Sequence, residues 1–373
     1  MAKKSTVQAS EKTAPPVSKR KPRHVKSINL ALQGGGAHGA FTWGILDRMF
    51  EDDRIWVEAI SGTSAGAVNA VVAAQGMYEG QAPEARAALK RFWEAVSDAG
   101  KFSPFRSTPY DAARGVWSLD HSPMYLFFDM MQRVASPYDF SINEHFPFIE
   151  DKNPFREMIE RLVDFEKVRD CLDMGIFVSA TNVETGRGRV FTRDEINVDV
   201  IMASTCLPFL YKAVEIDGEH YWDGGYMGNP PLVPFLSSTP CTDMLIIQIN
   251  PIKRRGVPKS AREIHNRVNE ITFNASLIHE LRGIDYINRL LEKGLVSDKS
   301  HKRVNIHILG GGQNMENLNA SSKLNTDWAF FTHLFEKGRE VADKWLHDHF
   351  DDIGERSSVD ISSMFSDVGT LPQ

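Results

Sequence analysis

Short apolar runs alternate with amphipathic segments along most of the chain. Apolar runs bounded by Gly, Asn, Asp or Pro predict buried strands, and they occupy 27–33, 57–60, 175–182, 189–192, 213–216, 220–222, 244–249 and 304–309. Apolar residues three or four positions apart predict helices, and they occupy 40–53, 81–96, 153–163, 200–204, 261–293 and 327–347. This alternation predicts an α/β fold of three layers, α/β/α, with a central, mainly parallel sheet.

The stretch 57–76 predicts a strand, a tight turn and a helix. A serine on such a turn presents its hydroxyl outward, because flanking glycines have no Cβ to clash with the strand and the helix. The first amides of the helix also favour negative charge beside the serine. Ser64 is therefore the candidate nucleophile of a hydrolase, although a G-x-S-x-G sequence alone also forms plain turns. The turn consists of Gly62, Thr63, Ser64, Ala65 and Gly66.

A second glycine-rich turn follows the first predicted strand and precedes the helix over 40–53. Its G-x-G-x-x-G pattern also occurs in dinucleotide-binding folds, which are the rival interpretation. Those folds need an acid at the end of the second strand to hold a ribose, but this second strand ends at Ser61 and the Ser64 turn. An oxyanion hole needs the same open amides, and we favour it, with the Gly35 and Gly36 amides close to Ser64. The loop consists of Gly34, Gly35, Gly36, Ala37, His38 and Gly39.

An aspartate is the candidate partner of this serine. A predicted hairpin over 213–222 leads directly into Asp223, Gly224 and Gly225. An aspartate that leaves a strand and precedes two glycines lies on a sterically open turn, where its carboxylate can approach a serine hydroxyl. Such a pair needs no metal and no other cofactor.

Large apolar side chains crowd residues 102–148, and prolines and glycines interrupt the run. Met and aromatic side chains form adaptable apolar surfaces. The region is therefore either an apolar lid over an acyl-chain pocket or ordinary packing against the sheet.

Residues 1–26 differ from the rest of the chain. They contain eight Lys or Arg, one acid (Glu11) and two consecutive prolines, so they bury too little surface to fold. Such a tail either remains solvated without a partner or holds the protein at an anionic lipid surface. Its cations do not alternate with aromatic residues, so we expect no nucleic-acid binding. The predicted organisation is a disordered basic tail over 1–26, one domain over 27–355 and a mobile tail over 356–373.

The composition is that of a globular protein. A chain of 373 residues with 42% hydrophobic residues can bury a large core. No apolar run reaches the ~18 residues that a membrane span needs. The three cysteines have no CxxC spacing, which indicates buried free thiols in a reducing compartment rather than disulfides or a zinc site. We expect a cytoplasmic protein, at most peripheral to a membrane or lipid surface.

Three sequence blocks together resemble the patatin-like phospholipases, a family of lipid acyl hydrolases. They are GGGAHG after the first strand, GTSAG after the second and DGG after the hairpin, with similar text in SATNVETGRGRVF, ASTCLPFLY and NEITFNASLIHELRGIDYINRLL. The resemblance implies a patatin-like fold over roughly 27–355, with Ser64 as nucleophile, Asp223 as its partner and the loop over 34–39 as oxyanion hole. Many family members carry Arg or Lys where this chain has His38, so this loop has less positive charge.

The resemblance implies a serine esterase of the phospholipase A or lysophospholipase type, acting on lipid or other esters through an acyl-enzyme. In a Ser-Asp dyad the carboxylate accepts the serine proton directly, so we expect burial to raise the pKa of Asp223 above the usual ~3.9. For His38 we favour a loop-stabilising role over that of general base.

Two alternatives remain open. An α/β-hydrolase would complete a triad with His301, His307 or His333, but that fold usually has several strands before its nucleophile. An acyltransferase, or a weakly active lipid-binding protein, would use the same pocket.

Overall fold

The computed structural model of the chain describes residues 25–102, 106, 116–120, 122, 153–208, 211–297, 301–316 and 318–364. Most of the predicted basic tail and most of the predicted lid over 102–148 lie outside the described residues. The last part of the predicted C-terminal tail, 365–373, also lies outside them.

The described residues form one eight-stranded sheet. The strands are β1 Lys26–Leu32, β2 Ile55–Gly62, β3 Gly175–Asn182, β4 Gly188–Thr192, β5 Val214–Ile216, β6 Glu219–Asp223, β7 Asp243–Gln248 and β8 Asn305–Gly310. Their order is β5-β6-β3-β2-β1-β7-β8, and β4 pairs with β3 outside this path. Strands β3, β2, β1, β7 and β8 are parallel, whereas β4 and β6 are antiparallel to β3. The predicted, mainly parallel sheet is confirmed.

Helices connect these strands. Their bounds are α1 Gly39–Glu51, α2 Ala65–Ala99, α3 Pro154–Leu162, α4 Phe165–Asp170, α5 Val198–Ser204, α6 Val233–Ser238, α7 Ala261–Glu292, α8 Gln313–Glu316 and α9 Trp328–His349. The predicted helix over 81–96 is the second half of α2, which kinks at Gly80 and Gln81.

Buried side chains alternate between the two faces of the sheet, as strand geometry requires. Leu30 and Leu32 face the larger core, which contains α1, α2 and α9. Ala31 and Ile246 face the smaller core, which contains α6 and α7. Helices therefore cover both faces, and the predicted three-layer α/β/α arrangement is confirmed.

Helices α1 and α9 cross at two glycines. A Cβ on Gly44 would overlap the carbonyl oxygen of Phe335, and a Cβ on Gly338 would overlap the carbonyl oxygen of Phe41. The two backbones therefore touch. Arg339 of α9 also pairs with Asp47 of α1 beside this crossing.

Two segments differ from the prediction. The apolar pattern predicts no helix between residues 309 and 327, but the structure has the short helix α8 there. One turn is too short to show helical periodicity. The predicted mobile tail is packed as far as residue 364: the Ser357 hydroxyl accepts a hydrogen bond from the Ile306 amide at 2.9 Å, and Ile361 is buried in the smaller core.

The three cysteines, Cys171, Cys206 and Cys241, are buried free thiols, as predicted. Within the described ranges, no helix has the length and apolarity to cross a bilayer. His, Cys, Asp and Glu side chains in the described part of the chain form no group of three or more that could hold a metal ion.

Candidate active site

Ser64 lies between β2 and α2 in a backbone conformation that is rare for residues other than glycine. Its φ is 54° and its ψ is −123°, and such conformations cost about 1 to 3 kcal/mol. Glycines make the turn fit. A Cβ on Gly62 would lie 2.5 Å from the carbonyl carbon of Gly66, and a Cβ on Gly66 would overlap the carbonyl oxygen of Leu32. The strand and the helix therefore meet closely at the serine.

Hydrogen bonds hold this turn in place. The Ser64 amide donates to the Ser204 hydroxyl at the end of α5, at 3.0 Å. The Thr63 amide donates to the carbonyl of Leu32 in β1, at 3.3 Å, and the Thr63 hydroxyl donates to the carbonyl of Gly228. These bonds reach three different segments, so the position of Ser64 is fixed by the fold around it.

The register of β3 brings Asp223 to the same place. Val178 of β3 pairs with Gly62, the last residue of β2. Two residues further along β3, Ala180 pairs with Asp223, the last residue of β6. Because β4 occupies the other edge of β3 over these residues, β2 and β6 share one edge of β3. The serine turn that follows β2 therefore lies beside Asp223.

The Asp223 carboxylate is completely buried. Its Oδ1 accepts a hydrogen bond from the Gly225 amide at 2.7 Å. The Ser64 hydroxyl lies near enough to favour the ionised carboxylate, but Oδ2 has no partner with hydrogen-bond geometry among the described residues. Burial raises the pKa of Asp223 to about 7, against the opposing effects of Gly225, Ser64 and Lys323. The carboxylate is therefore a stronger base than an ordinary aspartate.

The two glycines after Asp223 leave room for close neighbours. A Cβ on Gly224 would overlap the Ser179 carbonyl oxygen, and a Cβ on Gly225 would overlap the ring of Phe273. Larger residues at either position would push the aspartate out of place.

The glycine loop packs directly on the serine turn. A Cβ on Gly34 would lie 2.7 Å from the Ser64 Cβ, and one on Gly39 would lie 2.8 Å from the Ala65 Cβ. Gly36 has a φ of 56°, in the left-handed region that favours glycine.

Some amides of this loop are already used. The Gly34 amide donates to the Asn229 side chain at 2.7 Å, and the His38 amide donates to the Gly35 carbonyl at 3.2 Å. The amides of Gly35, Gly36 and Ala37 have no acceptor among the residues that the structure describes. These three are the donors that an oxyanion can use.

Buried Gln and Asn side chains form hydrogen bonds that hold the loop in place. The side-chain Oε1 of Gln33 accepts hydrogen bonds from the backbone amides of Ile249 and Asn250, both at 2.9 Å. The Gln33 amide group donates to Asn274 at 3.0 Å, and the Asn250 amide group donates to the Gly34 carbonyl at 2.8 Å. These hydrogen bonds join three segments next to the candidate oxyanion hole: the end of β1, the segment after β7, and helix α7.

His38 is buried and lies 2.8 Å from the Ser322 hydroxyl through its Nε2. Burial lowers the pKa of His38 well below its usual value, and the nearby cation of Lys323 lowers it further. The imidazole is therefore neutral at pH 7. This geometry fits a loop-stabilising role.

The histidines considered for a triad belong to other parts of the structure. His307 is buried and lies 3.1 Å from Asp243, near the amino ends of β7 and β8. His301 also precedes β8. Ser64 follows the carboxyl end of β2, and therefore lies at the opposite end of the parallel strands. His333 of α9 packs against Trp117, with 5.4 Å between ring centroids.

Sequence reasoning missed several residues around the site. Gln33, Asn229 and Asn250 support the loop, Ser204 holds the serine turn, and Lys323 lies next to the loop. Ser204 is part of the ASTCLPFLY block, which gave a signal in its neighbourhood. The other residues stand in no pattern that sequence alone makes visible.

The family model for patatin-like phospholipases matches residues 30–236, more than half of the chain. The chain therefore belongs to the patatin-like phospholipase family, and the resemblance noted from the sequence is confirmed. Membership supports a lipid hydrolase function. No curated protein matches the chain significantly.

Solved structures with similarity to the chain include two bacterial proteins. VipD from Legionella pneumophila aligns over 88% of this chain and 67% of its own, at 14% identity and a TM-score of 0.41. ExoU from Pseudomonas aeruginosa, in its heterodimeric complex with SpcU, aligns over 88% of this chain and 52% of its own, at 13% identity and a TM-score of 0.34. The chain thus spans about half the length of ExoU.

Proposed function

We propose that the chain hydrolyses carboxylic esters of lipids, as a phospholipase A or lysophospholipase, through a Ser64–Asp223 dyad and an acyl-enzyme. The observation that carries the proposal is the buried Asp223 carboxylate, whose Oδ2 has no hydrogen-bond partner among the described residues, beside a serine on a strained turn. Membership of the patatin-like phospholipase family supports a lipid as the substrate.

The proton passes directly between the two side chains. As the Ser64 Oγ forms a bond to the ester carbonyl carbon, its proton moves to Oδ2 of Asp223. The tetrahedral intermediate then collapses, the bond to the alcohol oxygen breaks, and the departing alcohol takes the proton from Asp223. A water molecule repeats these steps on the acyl-enzyme, which releases the fatty acid and restores Ser64. A carboxyl group with a pKa of about 7 can both accept and return the proton near neutral pH.

Backbone amides stabilise the charge that develops on the carbonyl oxygen. The amides of Gly35, Gly36 and Ala37 have no acceptor among the described residues, and they lie on the loop that touches the serine turn. Removing one such donor from an enzyme typically reduces kcat by about 100-fold to 1000-fold. Amides fixed in advance by the packing of Gly34 against Ser64 need little reorganisation during the reaction.

A fluorophosphonate probe tests the proposal without a known substrate. We expect wild-type protein to be labelled at Ser64, Ser64→Ala to remain unlabelled, and Asp223→Asn to be labelled at least about 100-fold more slowly because it lacks the base. Ser237→Ala, at an exposed serine of α6, is the matched control and should be labelled like wild type. Mass spectrometry of the labelled peptide identifies the site.

Two results would contradict the proposal. Folded wild-type protein that stays unlabelled would exclude an activated serine and favour a lipid-binding role. Undiminished labelling of Asp223→Asn would keep Ser64 as nucleophile but exclude the dyad. If labelling behaves as expected, the rate at which the acyl-enzyme discharges to water or to an added alcohol distinguishes a hydrolase from an acyltransferase.

A further inference from the structure

The glycine loop has no cation of its own. His38 is its only titratable side chain, and burial keeps that imidazole neutral at pH 7. An oxygen that becomes negative in the oxyanion hole would therefore meet loop amides but no positive charge from the loop. Any positive charge at the candidate oxyanion hole therefore comes from another segment of the chain.

A short turn near the end of the chain lies against this loop. The 3₁₀ turn Ser321–Leu324 contacts it at two points. A Cβ on Gly36 would lie 2.5 Å from the carbonyl oxygen of Lys323 and 3.5 Å from its Cβ. The Ser322 hydroxyl lies 2.8 Å from Nε2 of His38. The backbone of Lys323 is thus in direct contact with the candidate oxyanion loop.

The side chain of Lys323 turns towards the site. Its Nζ donates to the Asn250 side chain at 2.8 Å, and Asn250 donates in turn to the Gly34 carbonyl at 2.8 Å. Nζ also lies 5.5 Å from the ring centroid of Phe273, the ring that packs against Gly225. The ammonium is therefore held between the glycine loop and the turn that carries the catalytic aspartate.

We propose that Lys323 supplies the positive charge of this active site, and that its ammonium stabilises the negative oxygen formed when Ser64 attacks the ester. This inference rests on the function proposed above. The side chain is only partly exposed, so water screens its charge less than that of a surface lysine. Lys323 lies outside the residues 30–236 that match the family model.

The charges around Lys323 are consistent with this role. Burial lowers the pKa of Lys323 to about 8, Asp223 and Glu270 act to raise it, and Arg254 acts to lower it. Arg254 is itself paired with Glu270 at 2.5 Å, and His38 is neutral. Lys323 is therefore protonated at pH 7. Its field also favours the ionised form of Asp223.

The test compares full-length wild type with Lys323→Met, Lys323→Arg and the exposed control Lys344→Met, using an uncharged, soluble p-nitrophenyl ester. We expect Lys323→Met to lower kcat by about 10-fold to 100-fold with KM within about twofold, because the charge acts on the transition state. Lys323→Arg should keep most of the activity, and Lys344→Met should match wild type. Thermal unfolding of each variant checks the fold.

The pH profile separates an electrostatic role from a structural one. The wild-type profile should rise near pH 7 as Asp223 ionises and fall above pH 8 as Lys323 loses its proton. In Lys323→Met the rise should move to higher pH, since Asp223 loses a favourable neighbour, and the fall near pH 8 should vanish. In Lys323→Arg the fall should move above pH 10, because guanidinium keeps its proton.

Three results would overturn the inference. If wild type is labelled at Ser64 but Lys323→Met keeps the wild-type kcat and profile, the inference fails and the proposed function stands. If the activity of wild type does not fall near pH 8, or if Lys323→Arg does not shift this fall, Lys323 has a structural role only. This conclusion holds even if Lys323→Met does not fold. If wild type neither hydrolyses esters nor reacts with the fluorophosphonate, both proposals fail.

Discussion

Asp223 combines an advantage for the reaction with a cost for the fold. Its carboxylate is completely buried. Among the described residues, it accepts one hydrogen bond with good geometry, from the Gly225 amide. Burial without full compensation disfavours the ionised form. The group that the proposed reaction needs is therefore a destabilising charge near neutral pH.

We expect Asp223→Asn to be more stable than wild type above pH 7. An aspartate in the unfolded chain ionises near pH 3.9, whereas folding raises the pKa of Asp223 to about 7. Wild type therefore loses stability between about pH 4 and pH 7, and an amide at this position does not. The difference in the free energy of unfolding should reach about 2 to 4 kcal/mol, measured by urea unfolding at pH 4, 6 and 8.

Asp170→Asn, at an exposed aspartate at the end of α4, is the control and should change stability little at any of these pH values. An advantage of Asp223→Asn that is the same at pH 4 and pH 8 would contradict the raised pKa. Lower stability of Asp223→Asn at pH 8 would indicate that the carboxylate is structurally required.

Residues of the candidate site differ in how far sequence reveals them. Ser64 and the loop over 34–39 stand in short patterns, because a tight turn at a strand end imposes glycines at fixed spacings. Asn250 and Lys323 reach the loop from distant parts of the chain through side-chain contacts. Such contacts depend on how segments pack, so they leave no local spacing to recognise.

At the scale of elements, the crossing of α1 and α9 depends on two glycines. Gly44 and Gly338 let the two backbones touch, and α1 begins at Gly39, the last residue of the glycine loop. The position of the loop is therefore tied to this helix contact. Glycine inside a helix costs about 1 kcal/mol relative to alanine, and here the close approach of the backbones compensates for that cost.

We predict that Gly338→Ala lowers the free energy of unfolding by at least about 2 kcal/mol, because the new methyl group would meet the carbonyl of Phe41. Gly283→Ala in α7 is the matched control, since a Cβ there meets nothing within 4 Å. The control should gain about 0.5 to 1 kcal/mol from its higher helix propensity. Urea unfolding measures both, and equal effects of the two variants would contradict the backbone contact.

Most elements could be predicted because their signals are local. Asn153 accepts hydrogen bonds from the amides of Phe155 and Arg156 and caps α3, and Pro154 occupies its first position, so sequence marks the start of that helix. Strand β3 begins with the apolar residues Ile176, Phe177 and Val178, is buried from Ile176 to its end, and has the predicted bounds. The predicted separation between the helix after the Ser64 turn and the helix over 81–96 is confirmed, because the backbone leaves helical geometry at Gly80 and Gln81, next to Pro83.

At the scale of the molecule, the sheet extends well beyond the residues that match the family model. Strands β7 and β8 and helices α7 and α9 follow residue 236, yet β1 pairs with β7 along one edge. Lys26 at the start of β1 donates to the carbonyls of Phe350 and Ile353 after α9, at 3.0 and 2.8 Å. The first and last parts of the described chain therefore stabilise each other.

We expect a fragment of residues 1–240 not to fold. It would lack β7, which is one of the two strands that pair with β1, and the helix α9, which packs on α1. It would also lack the Gln33 partners Ile249, Asn250 and Asn274. Its urea titration, followed by near-ultraviolet circular dichroism, should show no cooperative transition. The untruncated chain is the control and should show one cooperative transition. A cooperative transition in the shorter fragment would show that the family-matched region folds alone.

Strand β3 sets the spacing between Ser64 and Asp223, the candidate nucleophile and its candidate partner. Strand β2 pairs with its first half and β6 with its second, so twisting or bending of the sheet displaces Ser64 and Asp223 together. In the proposed reaction, the spacing between the two side chains therefore depends mainly on the sheet. The candidate oxyanion hole, by contrast, contacts separate segments, among them the turn Ser321–Leu324. A molecule that binds near the turn Ser321–Leu324 would therefore change the rate of the proposed reaction through the stabilisation of the negative oxygen. The geometry between Ser64 and Asp223 would remain unchanged.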